Sequence, residues 1–299
     1  MTINALSPSM GTTLCLLDDD TIARIALAGA GVSGDPGVAI GVDTLGGPVA
    51  FVAAVHDGED RAAPLSNLVR QRIRAFATPS RVGDVLQSMT CNHVCAVTPW
   101  HDQWPTQLDA LDRIAPLVLF TQGDVDVLGR PSVAITGTTE PTVEAVHMTI
   151  ELTTGLADRR WVIAASTSHG VDQLALRAAA AMGGETITVA AMGLRGLNVG
   201  RGSVAISELP PTPTVTVRGQ RRAKYLLAAI TTKTIIVEAG VSSGALRTAE
   251  AAQAMNRPVG VAAGTNGNPP TAGCLELLEL LERHSVAIVS SITDADRLQ

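Results

Sequence analysis

Aromatic side chains are scarce: one Tyr, three Phe and three Trp make up 2% of 299 residues. So few rings exclude an extended platform on which successive nucleic-acid bases stack. Positive charge is short as well. The 22 Lys and Arg are outnumbered by 28 Asp and Glu, leaving a formal charge of −6 and a pI near 5.5. That balance excludes a protein that coats duplex DNA by bulk electrostatics and confines any nucleic-acid contact to a local patch. No run of 18 or more uncharged apolar residues is present, so no segment reads as a membrane-spanning helix. The first twenty residues include Asp18-Asp19-Asp20 and no basic start, unlike a secretory signal. A cytoplasmic protein without a membrane partner is expected. Four cysteines, scattered at 15, 91, 95 and 274, are expected to be reduced thiols. The stretch Cys91-Asn92-His93-Val94-Cys95 has the look of half a zinc site, but no second paired cluster follows and residues 94–97 read as a buried strand. No metal is expected.

What is present is apolar bulk with regular punctuation. A hydrophobic content of 46% and a mean hydropathy of +0.25 are enough for one large core or two modest ones. Residues 21–90 show short helical patterns, such as Ile22, Ile25 and Ala26 or Leu65, Leu68, Val69 and Ile73. These patterns are broken at Gly34-Asp35-Pro36, Gly46-Gly47-Pro48 and Thr78-Pro79-Ser80. From Val133 onward, strands are predicted at 133–137, 161–165, 186–191, 203–206, 234–238, 258–262 and 286–290, with Ala-rich helices between most of them. This alternation predicts an α/β fold, a Rossmann-like parallel sheet with helices on both faces, preceded by a small helical domain. The expected division is 1–90 and 91–299.

In such a sheet, ligands bind beyond the carboxyl ends of the strands. Three loops there share one chemistry: Gly137-Thr138-Thr139, Ser166-Thr167-Ser168-His169-Gly170 and Ser242-Ser243-Gly244. Each offers hydroxyls and backbone amides at a helix start, a combination that favours an anion such as phosphate. Ser242 or Ser243 also serves as an N-cap, and the two roles remain open. No Gly-x-Gly-x-x-Gly follows the first strand, Gly137 being followed by Thr-Thr-Glu, so neither a nicotinamide cofactor nor any other is expected. Arg218, Arg221, Arg222 and Lys224 place four cations in seven residues beside Tyr225, the only tyrosine. They read either as a phosphate-tracking patch with one stacking ring or as the solvated start of a helix whose Leu226, Leu227 and Ile230 face the core. His169 is placed to donate to a phosphate or to act as an acid. Asp172, in the first helical turn, complements the helix dipole or fixes the loop. Nothing supplies a nucleophile beside this pair, and no catalytic residue is assigned.

Together these stretches resemble the DNA-processing protein A family, also called Smf, from Trp100 to the end of the chain. WHDQWPTQLDALDRIAPLVLFTQG is similar to the family's lead-in to a pair of strands, and SVAITGTTEPT occupies the place of its first strand and Gly-Ser-Arg loop. Gly170, Val171 and Asp172 match its Gly-Ile-Asp step, while Ser207, Glu208 and Pro210 match its Ser-Glu-x-Pro step. Glu238, Ala239, Ser243, Gly244, Thr248 and Ala249 keep its Val-Glu-Ala and Ser-Gly-x-x-x-Thr-Ala signature. The resemblance implies a homodimer that binds single-stranded DNA and hands it to the RecA recombinase in transformation or recombination, without being an enzyme. The chain departs from the family at Thr139, where the loop carries arginine, and at the Arg-Asn-Arg motif. That motif falls on Ala223-Lys224-Tyr225 or, shifted by one, on Arg222-Ala223-Lys224. Some members append a winged helix, for which nine residues after the last predicted strand leave no room.

Two other readings stay open. Related Rossmann proteins that hydrolyse nucleoside monophosphates use a Pro-Gly-Gly-x-Gly-Thr-x-x-Glu loop; here the loop is Ala239-Gly240-Val241-Ser242-Ser243-Gly244, and Glu250 lies too far along the helix. Binding of a small nucleotide without chemistry remains compatible with these residues. A degenerate homologue acting only through protein partners is the third reading, motivated by the missing arginines.

Overall fold

The computed structural model describes residues 17–60, 63–211, 216–262, 272–280 and 286–298. Capping residues set the start of each of the first five helices. Asp18 caps α1 (Asp19–Gly29) by accepting from the Thr21 N–H at 2.7 Å, and Asp35 caps α2 (Pro36–Thr44) with Pro36 in the first turn. Gly47, at φ 120°, leads into α3 (Pro48–Asp57), Ser66 caps α4 (Asn67–Phe76), and Thr78 caps α5 (Pro79–Cys91). The breaks read from the sequence at 34–36, 46–48 and 78–80 are therefore helix N-termini, where proline loses no hydrogen bond; at the first and third, a short polar side chain also satisfies a free amide. The helices bury Leu27, Val38, Phe51, Val55 and Ile73 among themselves. A second contact, of Ile25, Ala28, Val85 and Met89 with Phe120, Ala190 and Ala205, joins them to the sheet.

All seven expected strands form, as β3 (Ser132–Thr136), β4 (Val162–Ser166), β5 (Thr186–Val189), β6 (Ser203–Ser207), β7 (Lys233–Ile236), β8 (Val259–Ala262) and β9 (Val286–Val289). They are mutually parallel. Two further strands, β1 (Cys95–Val97) and β2 (Leu119–Gly123), extend the sheet antiparallel, with Phe120 opposite Ser207 of β6. The order is β1-β2-β6-β5-β4-β3-β7-β8-β9. After β6 the chain returns to the far side of β3, so the topology switches direction next to β3, where α/β sheets open a crevice.

Alternation along the strands covers both faces. Val133, Ile135 and Ile163 pack against Met148, Leu152 and Val171 of α6 (Val143–Asp158) and α7 (Val171–Ala181). Ala134, Val162 and Ala164 pack against Leu226, Leu227 and Ile230 of α8 (Val217–Ile230). Next to α8, α9 (Gly244–Ala254) covers β7 and β8 with α10 (Ala272–Leu280). The C-terminal helix α11 (Ile292–Arg297) is held by a buried lysine. Lys233 lies 3.9 Å from the Trp161 ring centre and donates to the Ala295 and Asp296 carbonyls at 2.9 and 2.7 Å. Burial pulls its ammonium below the ordinary lysine range, and Asp296 opposes that pull.

Cysteine chemistry differs from expectation at one position. Cys91 is free and exposed and Cys274 is buried, but Cys95 is disulfide-bonded, so it is not the reduced thiol expected. Cys15 lies outside the described residues. Among the described residues, no three His, Cys, Asp or Glu side chains are grouped to hold a metal ion.

Candidate nucleic-acid interface

The loops after β3, β4 and β7 meet at the switch point and wall a cleft of about 990 Å³. Their convergence depends on two glycines. A Cβ on Gly137 would lie 2.8 Å from the Glu238 carbonyl oxygen, and one on Gly170, which has φ +74°, would lie 2.3 Å from the Thr138 carbonyl oxygen. Hydrogen bonds then lock the loops together: the Thr138 N–H donates to the Glu238 carbonyl at 2.7 Å, and the Thr142 N–H donates to the Glu238 carboxylate at 2.9 Å.

Of the residues singled out in the sequence, Gly137, Thr138, Thr139, Ser166, Ser168 and His169 line this cleft from one side. Ser242, Ser243, Gly244, Arg221 and Lys224 line it from the other. Ser243 is the N-cap of α9, accepting from the Ala245 N–H at 3.3 Å, and it also stands in the cleft lining. Gly170 stands behind the lining and shapes the loop. The basic run divides. In a helix, residues four apart share a stripe, and the stripe holding Arg218 and Arg222 turns away from the cleft. Arg218 donates to the Ser33 carbonyl at 2.9 Å, while Arg222 forms a two-pronged pair with Glu208 at 2.7 and 2.8 Å and donates to the Ile114 carbonyl. Tyr225 is exposed and lies outside the cleft lining.

Beneath the lining runs a polar network built on Asp172. This fully buried carboxylate accepts from the Thr136 hydroxyl at 2.7 Å, from the Ser166 N–H at 2.9 Å and from the Ser166 hydroxyl. It therefore fixes the second loop, one of the two roles read for it. The Lys224 ammonium reaches into the same network, 3.1 Å from Ser166 Oγ, 3.4 Å from Ser168 Oγ and 3.7 Å from Asp172 Oδ1. A serine beside a lysine invites comparison with a nucleophile and its base. Here the Ser166 hydroxyl already donates to Asp172, and Ser166 is only 2% exposed. The arrangement suits holding an anion above Lys224.

Two contributors escaped the sequence reading. Arg247 and Gln220 also line the cleft. Arg247 lies one turn into α9, three residues after Gly244, so helical spacing from the loop glycine is the signal that points to it. Arg221 and Arg247 have no hydrogen-bond or ion-pair partner among the described residues. Among the described residues, the cleft thus presents three cations, Arg221, Lys224 and Arg247, and no acidic side chain in its lining, on a chain of net charge −6.

Comparison with known proteins matches residues 95–294 to the family described as DNA recombination-mediator protein A. A Mycobacterium tuberculosis protein carrying the DNA processing protein DprA name is 28% identical over 277 residues, spanning 83% of this chain and 67% of that one. DNA processing protein DprA of Bacillus subtilis is 25% identical over 175 residues, or 55% of this chain and 59% of its own length. The crystal structure of DNA processing protein A from Streptococcus pneumoniae superposes with a TM-score of 0.76 over 95% of this chain and 99% of that one, at 19% identity. The Helicobacter pylori protein, whose structure concerns its single-stranded DNA binding mode, superposes at 0.58 over 68% of this chain and 95% of that one, at 25% identity.

Proposed function

Because the chain belongs to the DNA recombination-mediator protein A family, we propose that its cleft grips the sugar–phosphate backbone of single-stranded DNA. The observation that carries this reading is the cleft's charge: Arg221, Lys224 and Arg247, with no acidic neighbour in the lining among the described residues. Amides and hydroxyls at the starts of the surrounding helices add donors that hold phosphate oxygens without reading base edges. A concave site suits a flexible strand better than a rigid duplex. With one exposed tyrosine outside the cleft, affinity comes from phosphate contacts rather than from base stacking.

The remainder of the proposal follows the family. The protein acts by binding rather than by catalysis, passes the strand to a RecA-type recombinase and works as a homodimer in the cytoplasm. No single helix among the described residues is long and apolar enough to cross a membrane. The helical segment up to about residue 90 and the Rossmann-like remainder are proposed as two domains.

The test is fluorescence anisotropy of a labelled oligo-dT at low and near-physiological salt, with duplex DNA and a nucleoside monophosphate as competitors. Salt-sensitive binding that duplex DNA displaces poorly is expected. Absence of oligo-dT binding at low salt refutes the reading, and displacement by the mononucleotide at equal concentration transfers the cleft to a small nucleotide.

A further inference from the structure

A second cavity, of about 430 Å³, lies on the other side of α8 from the cleft. It is walled by the C-terminal end of α1, by α4, by the segment following β6 and by the first turns of α8. Among the described residues, the two linings share only Ala190, Ala191 and Ala223, a thin alanine partition between them. Gly219 permits that closeness: a Cβ there would lie 2.5 Å from the Ala191 carbonyl oxygen. Likewise a Cβ on Gly34, which has φ +69°, would lie 2.2 Å from the Arg222 guanidinium carbon, so only glycine leaves Arg222 its place in the wall.

The chemistry of the lining is specific. Phe76, Leu209 and Leu226, with small residues between them, give an apolar body. Its charged groups are Arg72, Arg218, Arg222 and Glu208. Glu208 is 5% exposed and paired with Arg222 through two hydrogen bonds, so these two charges offset each other. Burial pushes the Glu208 carboxyl above the ordinary carboxylate range, and Arg222 and Arg218 oppose the push. Two cations remain. Arg218 gives one N–H to the Ser33 carbonyl, and the exposed Arg72 has no partner among the described residues.

We propose that this cavity binds a small organic anion, a single ring or short acyl chain bearing one carboxylate or phosphate. Its volume lies in the range of small-molecule pockets, most of which are apolar with a few placed polar groups. Guanidinium forks match carboxylate and phosphate in two-pronged geometry. Inorganic phosphate has no body to bury against Phe76 and Leu209. A neutral ring leaves Arg72 and Arg218 unanswered. The site is separate from the cleft because α8 turns Arg218 and Arg222 to one side and Arg221 and Lys224 to the other.

The experiment is calorimetric titration of the full chain with phenyl phosphate and benzoate, with inorganic phosphate and benzyl alcohol as controls lacking the body or the charge. Two variants are compared, Arg72→Glu in the cavity wall and Arg221→Glu in the cleft; both side chains are exposed and unpartnered, so both variants should fold. Binding of at least one ring anion above both controls is expected, weakened about tenfold or more by Arg72→Glu. Arg221→Glu should leave it unchanged, and oligo-dT should not displace the probe. The proposal is overturned if no ring anion binds better than the controls or if Arg72→Glu has no effect. Loss of the probe on Arg221→Glu, or its displacement by oligo-dT, also overturns it by placing the anion in the cleft.

Discussion

The basic run 218–225 offers a quantitative test of how the fold distributes charge. Arg221 opens on the cleft, as does Arg247 of α9. Arg222, one residue along, pairs with Glu208 at 2.7 Å with side-chain exposures of 13% and 5%. On a single strand, each neutralised phosphate contributes about 0.7 to the slope of log affinity against log salt. Arg221→Ala and Arg247→Ala should each lower that slope by about 0.7, which at about 0.1 M salt is a loss of roughly fivefold in affinity. Together they should lower the slope by about 1.4 and weaken binding roughly 25-fold, the sites being on different helices and sharing no partner. Arg222→Ala should leave the slope untouched and act on stability instead. It strands a buried carboxylate, a change that costs about 3 kcal/mol or more. Oligo-dT anisotropy across a salt series gives the slopes, and urea unfolding gives the stabilities. If Arg222→Ala flattens the slope as much as Arg221→Ala while unfolding is unchanged, the assignment of the two faces of α8 is wrong.

Other substitutions probe the scaffold beneath the cleft. Asp172→Ala leaves the Ser166 amide, the Thr136 hydroxyl and Lys224 without their buried acceptor, and should cost about 3–5 kcal/mol in urea unfolding; a loss under about 1 kcal/mol would show the network to be dispensable. Gly170→Ala meets both a positive φ and the Thr138 carbonyl, so a destabilisation of about 1–3 kcal/mol together with weaker oligonucleotide binding is expected; an unaffected cleft would mean that the two loops need not touch. Asp18→Ala should cost about 1 kcal/mol at neutral pH as a lost N-cap. Hydrogen bonds from Thr21 hold the Asp18 carboxyl below its ordinary range. The contribution of a carboxyl so lowered is present above the ordinary carboxylate pKa and is lost as pH falls through the folded one. The difference in melting temperature between wild type and Asp18→Ala should therefore shrink in acid, and a constant difference would refute the charged cap.

Much of the architecture was legible because it rests on short-range pattern. Runs such as residues 234–237 are β-branched or apolar throughout, as strands buried on both faces must be, and Ser or Thr followed by alanines at helical spacing marks the helix starts. The three loops could be grouped in advance because a parallel sheet places the carboxyl ends of its strands on one edge. The antiparallel β1–β2 extension could not be ordered that way: β2 pairs with β6, more than 80 residues later, and local periodicity carries no information about such a partner. Cys95 shows the same limit, since a disulfide depends on proximity in space.

The cations divide along the same line. The sequence by itself determined that Arg218, Arg221, Arg222 and Lys224 fall within two turns of one helix, where 3.6 residues per turn points the neighbours Arg221 and Arg222 about 100° apart without any tertiary contact. It also determined that hydroxyls, glycines and amides would gather at one end of the sheet. Only the tertiary structure decided which stripe meets the cleft, that Glu208 takes Arg222 out of it, and that Arg247 enters from the neighbouring helix. Helix periodicity sets the angles between side chains, whereas the rotation of a whole helix about its axis is set by what its apolar face packs against. In α8 that face is Ala223, Leu226, Leu227 and Ile230 against β3, β4 and β5, and burying it turns Arg221 and Lys224 to one cavity and Arg218 and Arg222 to the other.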